Sequence, residues 1–199
     1  YDENHCRGQL VIDYHNIRYI DKVRLIPWMK IHVNVLLWDK IFKMSIIREN
    51  KLSFPTGYEC DDNAFVWQYL CFSNSFYGIN RALYNYKILN NSIMGRIYHG
   101  KKVARLFDRI YAIQFTLNFM KKNNILKQNL WFLRVIYYGL SVVSDKLSYR
   151  DIVKYLKLIR KHVLPFYSEE EISQHDLLVL IHNGKCRKAA KIIKGRKYG

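Results

Sequence analysis

Proline and paired cysteine motifs are scarce in this chain of 199 residues. With only 3 prolines, the sequence excludes an extended proline-rich linker or stalk. The 4 cysteines form no C-x-x-C pair, and no histidine cluster has zinc-ligand spacing, which argues against a zinc finger. We therefore interpret Cys6, Cys60, Cys71 and Cys186 as free thiols in a reducing compartment.

Long hydrophobic runs are also absent. A membrane-spanning helix needs roughly 18 consecutive apolar residues, and the best stretch, residues 130–143, is interrupted by Arg134. The opening residues Tyr1 to Asn4 lack the basic and apolar regions of a secretory signal. The sequence therefore predicts a cytoplasmic protein whose contact with the inner face of the cell membrane is at most peripheral.

Positive charge and aromatic side chains are abundant. The formal net charge is +17, and residues 100–199 hold 21 basic against 7 acidic side chains, whereas residues 1–99 hold 12 against 9. Such a field attracts phosphate, whether on nucleic acid, on an anionic membrane or on a nucleotide-linked substrate. An aromatic content of 15% excludes a disordered tail, but charge alone leaves all three partners open.

The first half of the chain mixes strand and helix patterns. Short aromatic or alternating stretches predict strands within residues 1–20 and at residues 76–80 and 82–88. Apolar residues at helical spacing predict helices over residues 33–50, ending near Asn50, and over residues 61–72. Together these patterns predict an α+β region over residues 1–98.

The second half has helical patterns throughout. Residues 151–163 place apolar side chains on one face and lysine or arginine on the other. Ser168 followed three residues later by Glu171 is typical of a capping box at a helix start. We therefore predict a basic, all-α extension over residues 99–199.

Three carboxylates lie close together before the second predicted helix, at Glu59, Asp61 and Asp62. A carboxylate in this position can act as a general base toward a hydroxyl group. Alternatively, Asp61 and Asp62 simply cap the helix, since negative charge is favoured at its N-terminus. Composition by itself favours capping.

Three blocks in this region, in the right order, resemble motifs of the family 2 glycosyltransferases. Residues 38–55 resemble the family's W-N-K-L-Y-R-R…F-P block, and residues 61–65 resemble its E-D-x-x-F motif. Residues 83–88 and 91–94 resemble the L-Y-Y-Y-R…x-S-I-M block. The resemblance covers about residues 33–94, and the combination is more specific than any single block.

The resemblance implies roles for individual residues. Asp62 takes the place of the aspartate that removes the proton from the acceptor hydroxyl. Trp38, Asp39 and Asp61 take acceptor-binding positions, although Asp39 replaces the usual asparagine and Asp61 the usual glutamate. The positions of Lys87 and Ser92 imply contact with the donor diphosphate. Lys87 replaces the usual arginine and so lacks a bidentate fork.

The same resemblance implies the acceptor-side half of a GT-A domain that transfers a sugar with inversion from a nucleotide-sugar. The acceptor would be a glycan or a glycolipid in bacterial surface polysaccharide synthesis. No D-x-D motif precedes Trp38, so the nucleotide-binding half is missing and the chain alone is expected to be inactive. The complete enzyme is expected to use Mg²⁺ or Mn²⁺, with ligands mostly outside this chain.

The basic second half leaves alternatives open. Its amphipathic helices could contact an anionic membrane through the aromatic residues Trp131, Phe132, Tyr137 and Tyr138, or these side chains could form the core of a helical bundle. A different function, a nucleic-acid-binding module, would suit basic charge with interleaved aromatic residues. No recognisable motif supports it, so nucleic acid is not an expected partner. A third hypothesis for the function of the second half is a helical interaction scaffold.

Overall fold

The computed structural model describes residues 21–24, 30–31, 33–78, 84 and 103–195. This part of the chain is mainly α-helical. Its helices are α1 (Met44–Glu49), α2 (Asp61–Phe72), α3 (Val103–Lys122), α4 (Trp131–Lys146), α5 (Tyr149–His162), α6 (Glu169–Ser173), α7 (Asp176–His182) and α8 (Cys186–Gly195). Short 3₁₀ helices precede α4 and follow α5.

The predicted α+β fold is wrong. Among the described residues, strands occur only at β1 (Asp21–Arg24) and β2 (Ser75–Gly78), which pair antiparallel with Asp21 opposite Gly78. Two four-residue strands cannot form the sheet of a GT-A half, because a stable sheet needs more strands. β2 coincides with part of the strand predicted at 76–80. The strands predicted within 1–20 and at 82–88 lie outside the described residues, except for Tyr84.

The helix predicted over residues 33–50 is much shorter in the structure. Only Met44–Glu49 is helical, and Asn50 is its C-cap as predicted. The preceding segment turns because its own side chains bond its backbone. The Asn34 side chain accepts a hydrogen bond from the Leu36 amide at 3.0 Å, and the Lys40 ammonium donates to the Leu36 carbonyl at 2.8 Å. Such bonds compete with helical hydrogen bonds.

Helix α2 has the predicted bounds and is almost surrounded by protein. Residues 63–68 and Leu70 are all buried, so the helix needs no polar face. It packs on α3, and its Trp67 ring meets the Phe132 ring edge-on, with centroids 5.2 Å apart. The contact joins the short helices of the first half to the larger helices of the second, so both contribute to one core.

The second half forms a layered arrangement of helices. α5 contacts α3, α7 and α8, and α8 also contacts α4 and α7. The amphipathic helix predicted at 151–163 is confirmed, since Ile152, Tyr155, Leu156 and Ile159 are buried and lie opposite its exposed cations. Burying each of the aliphatic side chains Ile152, Leu156 and Ile159 stabilises the fold by about 1.5–3 kcal/mol.

Two aromatic residues with alternative predictions belong to the core. Trp131 and Phe132 are buried at 5% and 0% exposure, so they are bundle residues and not a membrane contact. Tyr138 on the same helix is exposed. Among the described residues, no helix combines the length and apolarity needed to cross a membrane. Cys60, Cys71 and Cys186 form no disulfide among the described residues; Cys6 lies outside them.

The predicted capping box at the start of α6 is confirmed. The Ser168 amide donates to Glu171 Oε2 at 2.7 Å, and the Glu171 amide donates to Ser168 Oγ at 3.3 Å. The Lys127 ammonium also lies 2.7 Å from Glu171 Oε1. Burial alone would raise the pKa of Glu171, but the hydrogen bonds from Lys127 and Ser168 outweigh it and lower this pKa below its ordinary value of 4.5.

This lowered pKa predicts an acid-dependent contribution to stability. Because the folded-state pKa lies below the unfolded value, the contribution is complete above pH 4.5 and is lost as the pH falls through the folded-state pKa. We expect Glu171→Gln to lower the free energy of unfolding by about 1 kcal/mol at pH 7 and by almost nothing in strong acid. Urea denaturation across this pH range measures the difference.

The matched control for this experiment is Glu170→Gln, which removes the same charge from an exposed neighbour in the same helix. We expect it to change stability little at any pH. If Glu171→Gln kept the full acid dependence of the parent chain, the capping box would not be its source.

Candidate functional site

The carboxylates predicted as a candidate site lie at the start of α2. Asp61 is exposed and Asp62 is half-buried. Asp61 Oδ1 accepts a hydrogen bond from the Asp62 amide at 2.9 Å, and Asp62 Oδ1 accepts one from the Asn63 amide at 2.8 Å. Both side chains bond the amide of the following residue. The N-cap of α2 is Cys60 and no side-chain cap bond is present, so the structure supports only the part of the capping interpretation that places negative charge in the first turn.

The turn before α1 brings a second carboxylate and a cation into the same region. The Lys40 ammonium lies 2.5 Å from Asp39 Oδ1, and the Asn34 amide group donates to Asp39 Oδ2 at 3.4 Å. Burial lowers the pKa of Lys40, whereas the nearby charges of Asp39 and Asp62 act to raise it. Lys40 therefore links Asp39 and Asp62 electrostatically, across 23 residues of sequence.

An exposed aromatic pair accompanies these charges. The Trp38 and Tyr84 rings stack with centroids 5.1 Å apart and planes inclined by 21°, and they are 37% and 55% exposed. Large aromatic faces open to solvent can pack against the apolar face of a ligand while nearby polar groups orient it. Trp38 thus lies on the surface, not in the core, as the acceptor-wall interpretation requires.

A cluster of aromatic rings supports α2 behind its first turn. The Phe65 ring stacks on Phe54 at 4.3 Å and meets Phe42 edge-on at 5.4 Å. The Tyr69 hydroxyl accepts a hydrogen bond from the Lys43 amide at 2.9 Å. These contacts hold the segments on both sides of α1 against α2, so the phenylalanine of the E-D-x-x-F-like motif has a packing role.

The structure brings together part of the predicted site. Trp38, Asp39 and Asp62 belong to one surface region with Lys40, while Lys87 and Ser92 lie outside the described residues. Sequence reasoning missed Lys40 and the Trp38–Tyr84 stack, although Lys40 lies inside the W-D-K triplet of the first block. We name Trp38, Asp39, Lys40, Asp62 and Tyr84 the Asp62 cluster.

Neither the shape of the surface nor a metal site singles out the Asp62 cluster. Two hollows of the described residues lie among the helices of the second half. One is lined in part by Trp131, Arg134 and His175, and the other by Lys157, Arg160 and Lys161. Within the described chain, no group of three or more His, Cys, Asp or Glu side chains could hold a metal ion. The expected Mg²⁺ or Mn²⁺ therefore stays a prediction about residues elsewhere, and Glu59, Asp61 and Asp62 do not fit it.

A scan of protein-family models found no match to this chain, and neither did the searches of curated proteins and of solved structures. Functional inference therefore depends on the residues themselves.

Proposed function

We propose that the Asp62 cluster is the acceptor side of a site for inverting sugar transfer from a nucleotide-sugar. The observation that carries the proposal is an exposed Trp38–Tyr84 stack whose Trp38 directly precedes the Asp39–Lys40 ion pair in sequence, with the charge of Asp62 also acting on Lys40. Residues from three separate segments contribute. The motif resemblance assigns Trp38, Asp39 and Asp61 to acceptor binding and Asp62 to the catalytic base, and all of these except Asp61 belong to the Asp62 cluster. Because the described residues are mainly helical, the proposal depends on the residues of the site and not on a fold shared with known transferases.

The chemistry follows from the residue types. A sugar hydroxyl is a weak nucleophile, and Asp62 accepts its proton as the hydroxyl oxygen bonds to the anomeric carbon. The bond between that carbon and the nucleoside diphosphate breaks in the same step, which inverts the configuration. The Lys40 ammonium supplies positive charge near both Asp39 and Asp62, which offsets the negative charge of the two carboxylates. In this proposal, Asp39 orients the acceptor through hydrogen bonds.

The remaining parts of the proposal concern the rest of the reaction and its place in the cell. Lys87 and Ser92 contact the donor diphosphate, and the acceptor is a glycan or a glycolipid of a bacterial surface polysaccharide. A separate nucleotide-binding part supplies Mg²⁺ or Mn²⁺, whose role is to neutralise the leaving diphosphate. We expect a cytoplasmic protein with peripheral contact to the inner face of the membrane, and a chain that does not catalyse transfer alone.

Saccharide binding tests the acceptor role directly, because it does not require the donor part. We expect saturation-transfer NMR with an array of bacterial surface oligosaccharides to detect binding to this chain. Trp38→Ala should weaken it about tenfold, which corresponds to roughly 1.4 kcal/mol, since the ring loses its contact with the sugar face.

Tyr77→Ala is the matched control, because it removes another exposed aromatic ring, 60% exposed, from β2. Binding that Trp38→Ala leaves unchanged, or that both variants weaken equally, would contradict the acceptor role. An array without any bound saccharide would contradict it as well.

A further inference from the structure

Helix α5 carries an unusual concentration of positive charge on its outer side. Arg150, Lys154, Lys157 and Lys161 follow one another at intervals of three or four residues, and all are exposed. They therefore form one stripe opposite the buried face. α8 packs against α5 and has its own exposed cations, which are Arg187, Lys188, Lys191 and Lys194.

A hollow of about 490 Å³ lies where the end of α5 meets the start of α8. Its lining consists of Lys157, Arg160, Lys161, Pro165, Gly184 and Cys186. Burial raises the pKa of Cys186, while the positive charges of Arg160 and Lys157 act in the opposite direction, so both cations lie near the thiol. We name this feature the basic hollow; it shares no residue with the Asp62 cluster.

Arg160 is held in place at the wall of the basic hollow. Its Nε donates a hydrogen bond to the His182 carbonyl at 3.0 Å, and its guanidinium lies over Gly184, where a Cβ would be 3.4 Å from Nη1. Gly184 has φ +75°, a conformation that favours glycine. The turn between α7 and α8 therefore lets the guanidinium approach closely and fixes it in advance of any ligand.

The cations of the basic hollow have no acidic partner within the described part of the chain. No ion pair is seen there for Lys157, Arg160 or Lys161. Like charges three or four residues apart destabilise a helix. The negative end of the α5 dipole compensates Arg160 and Lys161, which lie in its last turn, but it does not compensate Lys157, which precedes that turn.

We propose that the basic hollow binds a phosphate group. Three cations converge on it, one of them a pre-oriented guanidinium suited to phosphate oxygens, and the N-terminus of α8 adds partial positive charge at Cys186. The phosphate belongs either to a soluble phosphate ester or to the headgroup of an anionic lipid, because both present the same oxygens. This inference does not depend on the proposed transferase function.

Titration of the ¹⁵N-labelled chain with inorganic pyrophosphate at about 150 mM salt, where long-range fields are largely screened, tests the site. We expect saturable shifts of the amide signals of Gly184, Lys185 and Cys186. Lys157→Gln/Lys161→Gln should weaken binding at least about tenfold, because two charged contacts are lost. Both side chains are exposed, so this variant should fold normally.

The matched control, Lys188→Gln/Lys191→Gln, removes two equally exposed charges from α8 outside the hollow. It should retain nearly all affinity. Equal losses in the two variants, or shifts spread over both helices without saturation, would show a diffuse charge effect and overturn the proposal. Absence of pyrophosphate binding would overturn it as well.

Vesicles distinguish the two phosphate sources. Cosedimentation with phosphatidylcholine vesicles containing phosphatidic acid, reduced by Lys157→Gln/Lys161→Gln but not by the control, would assign a lipid headgroup. Pyrophosphate binding without cosedimentation would assign a soluble ester. Tight binding of an RNA oligonucleotide, weakened equally by the two variants and displacing pyrophosphate, would make this surface a nucleic-acid interface and contradict the proposal.

Discussion

In the proposed sugar transferase, replacing Asp62 by Asn should lower kcat for sugar transfer by about 10²- to 10⁴-fold, the usual contribution of a positioned general base. Asparagine has nearly the same shape, and its side-chain oxygen can still accept the bond from the Asn63 amide, so the local structure should persist. It cannot take up the hydroxyl proton. Release of nucleoside diphosphate, measured at saturating acceptor, gives kcat.

Asp61→Asn is the matched control for this prediction. Asp61 is the adjacent carboxylate, exposed and bonded to the Asp62 amide, so its amide variant should change kcat less than about tenfold. Normal turnover by Asp62→Asn would contradict the base assignment. Equal losses of kcat in both variants would instead indicate that the two carboxylates act only by stabilising the first turn of α2.

Replacing Phe132 by Ala should lower the free energy of unfolding by about 3–5 kcal/mol, as is typical of a fully buried phenylalanine. Phe132 is 0% exposed, and its ring contacts Trp67 of α2 edge-on and Trp131 within α4. The substitution therefore leaves a cavity between the two halves of the core. Urea denaturation followed by circular dichroism measures the loss.

Tyr138→Ala supplies the comparison, since it removes an aromatic ring from the same helix at a position that is 54% exposed. We expect it to cost no more than about 0.5 kcal/mol. Similar losses in the two variants would mean that the contact between α2 and α4 does not explain the effect of Phe132→Ala.

Sequence patterns predicted correctly those features that depend on residues close together in the chain. The bounds of α2, the amphipathic faces of α5 and the capping box of Ser168 and Glu171 agree with the structure, because each depends on residues within about one or two helical turns. The helix predicted over residues 33–50 is too long because the prediction used only the spacing of apolar residues. The bonds that Asn34 and Lys40 make to nearby backbone groups keep this segment out of the helix, which begins only at Met44.

In the candidate site, likewise, the sequence identified individual residues but not the contacts between distant segments. The motif resemblance selected Trp38, Asp39 and Asp62 from sequence, but the stack of Trp38 on Tyr84 and the link through Lys40 join segments far apart in the chain. The basic hollow was not visible in the sequence beyond an excess of positive charge, because its lining comes from α5, the turn at Gly184 and the start of α8.

The sequence by itself determined the basic, aromatic character of this protein, the main helices of its second half and the carboxylates at the head of α2, since these follow from composition and from spacing over a few residues. The tertiary structure decided which side chains are buried and which charges meet. Lys30 illustrates the reason: a lysine is rarely buried without a partner, yet its ammonium lies in the interior because it donates to the Leu70 carbonyl at 2.6 Å. That partner is 40 residues away, and only folding brings it into reach.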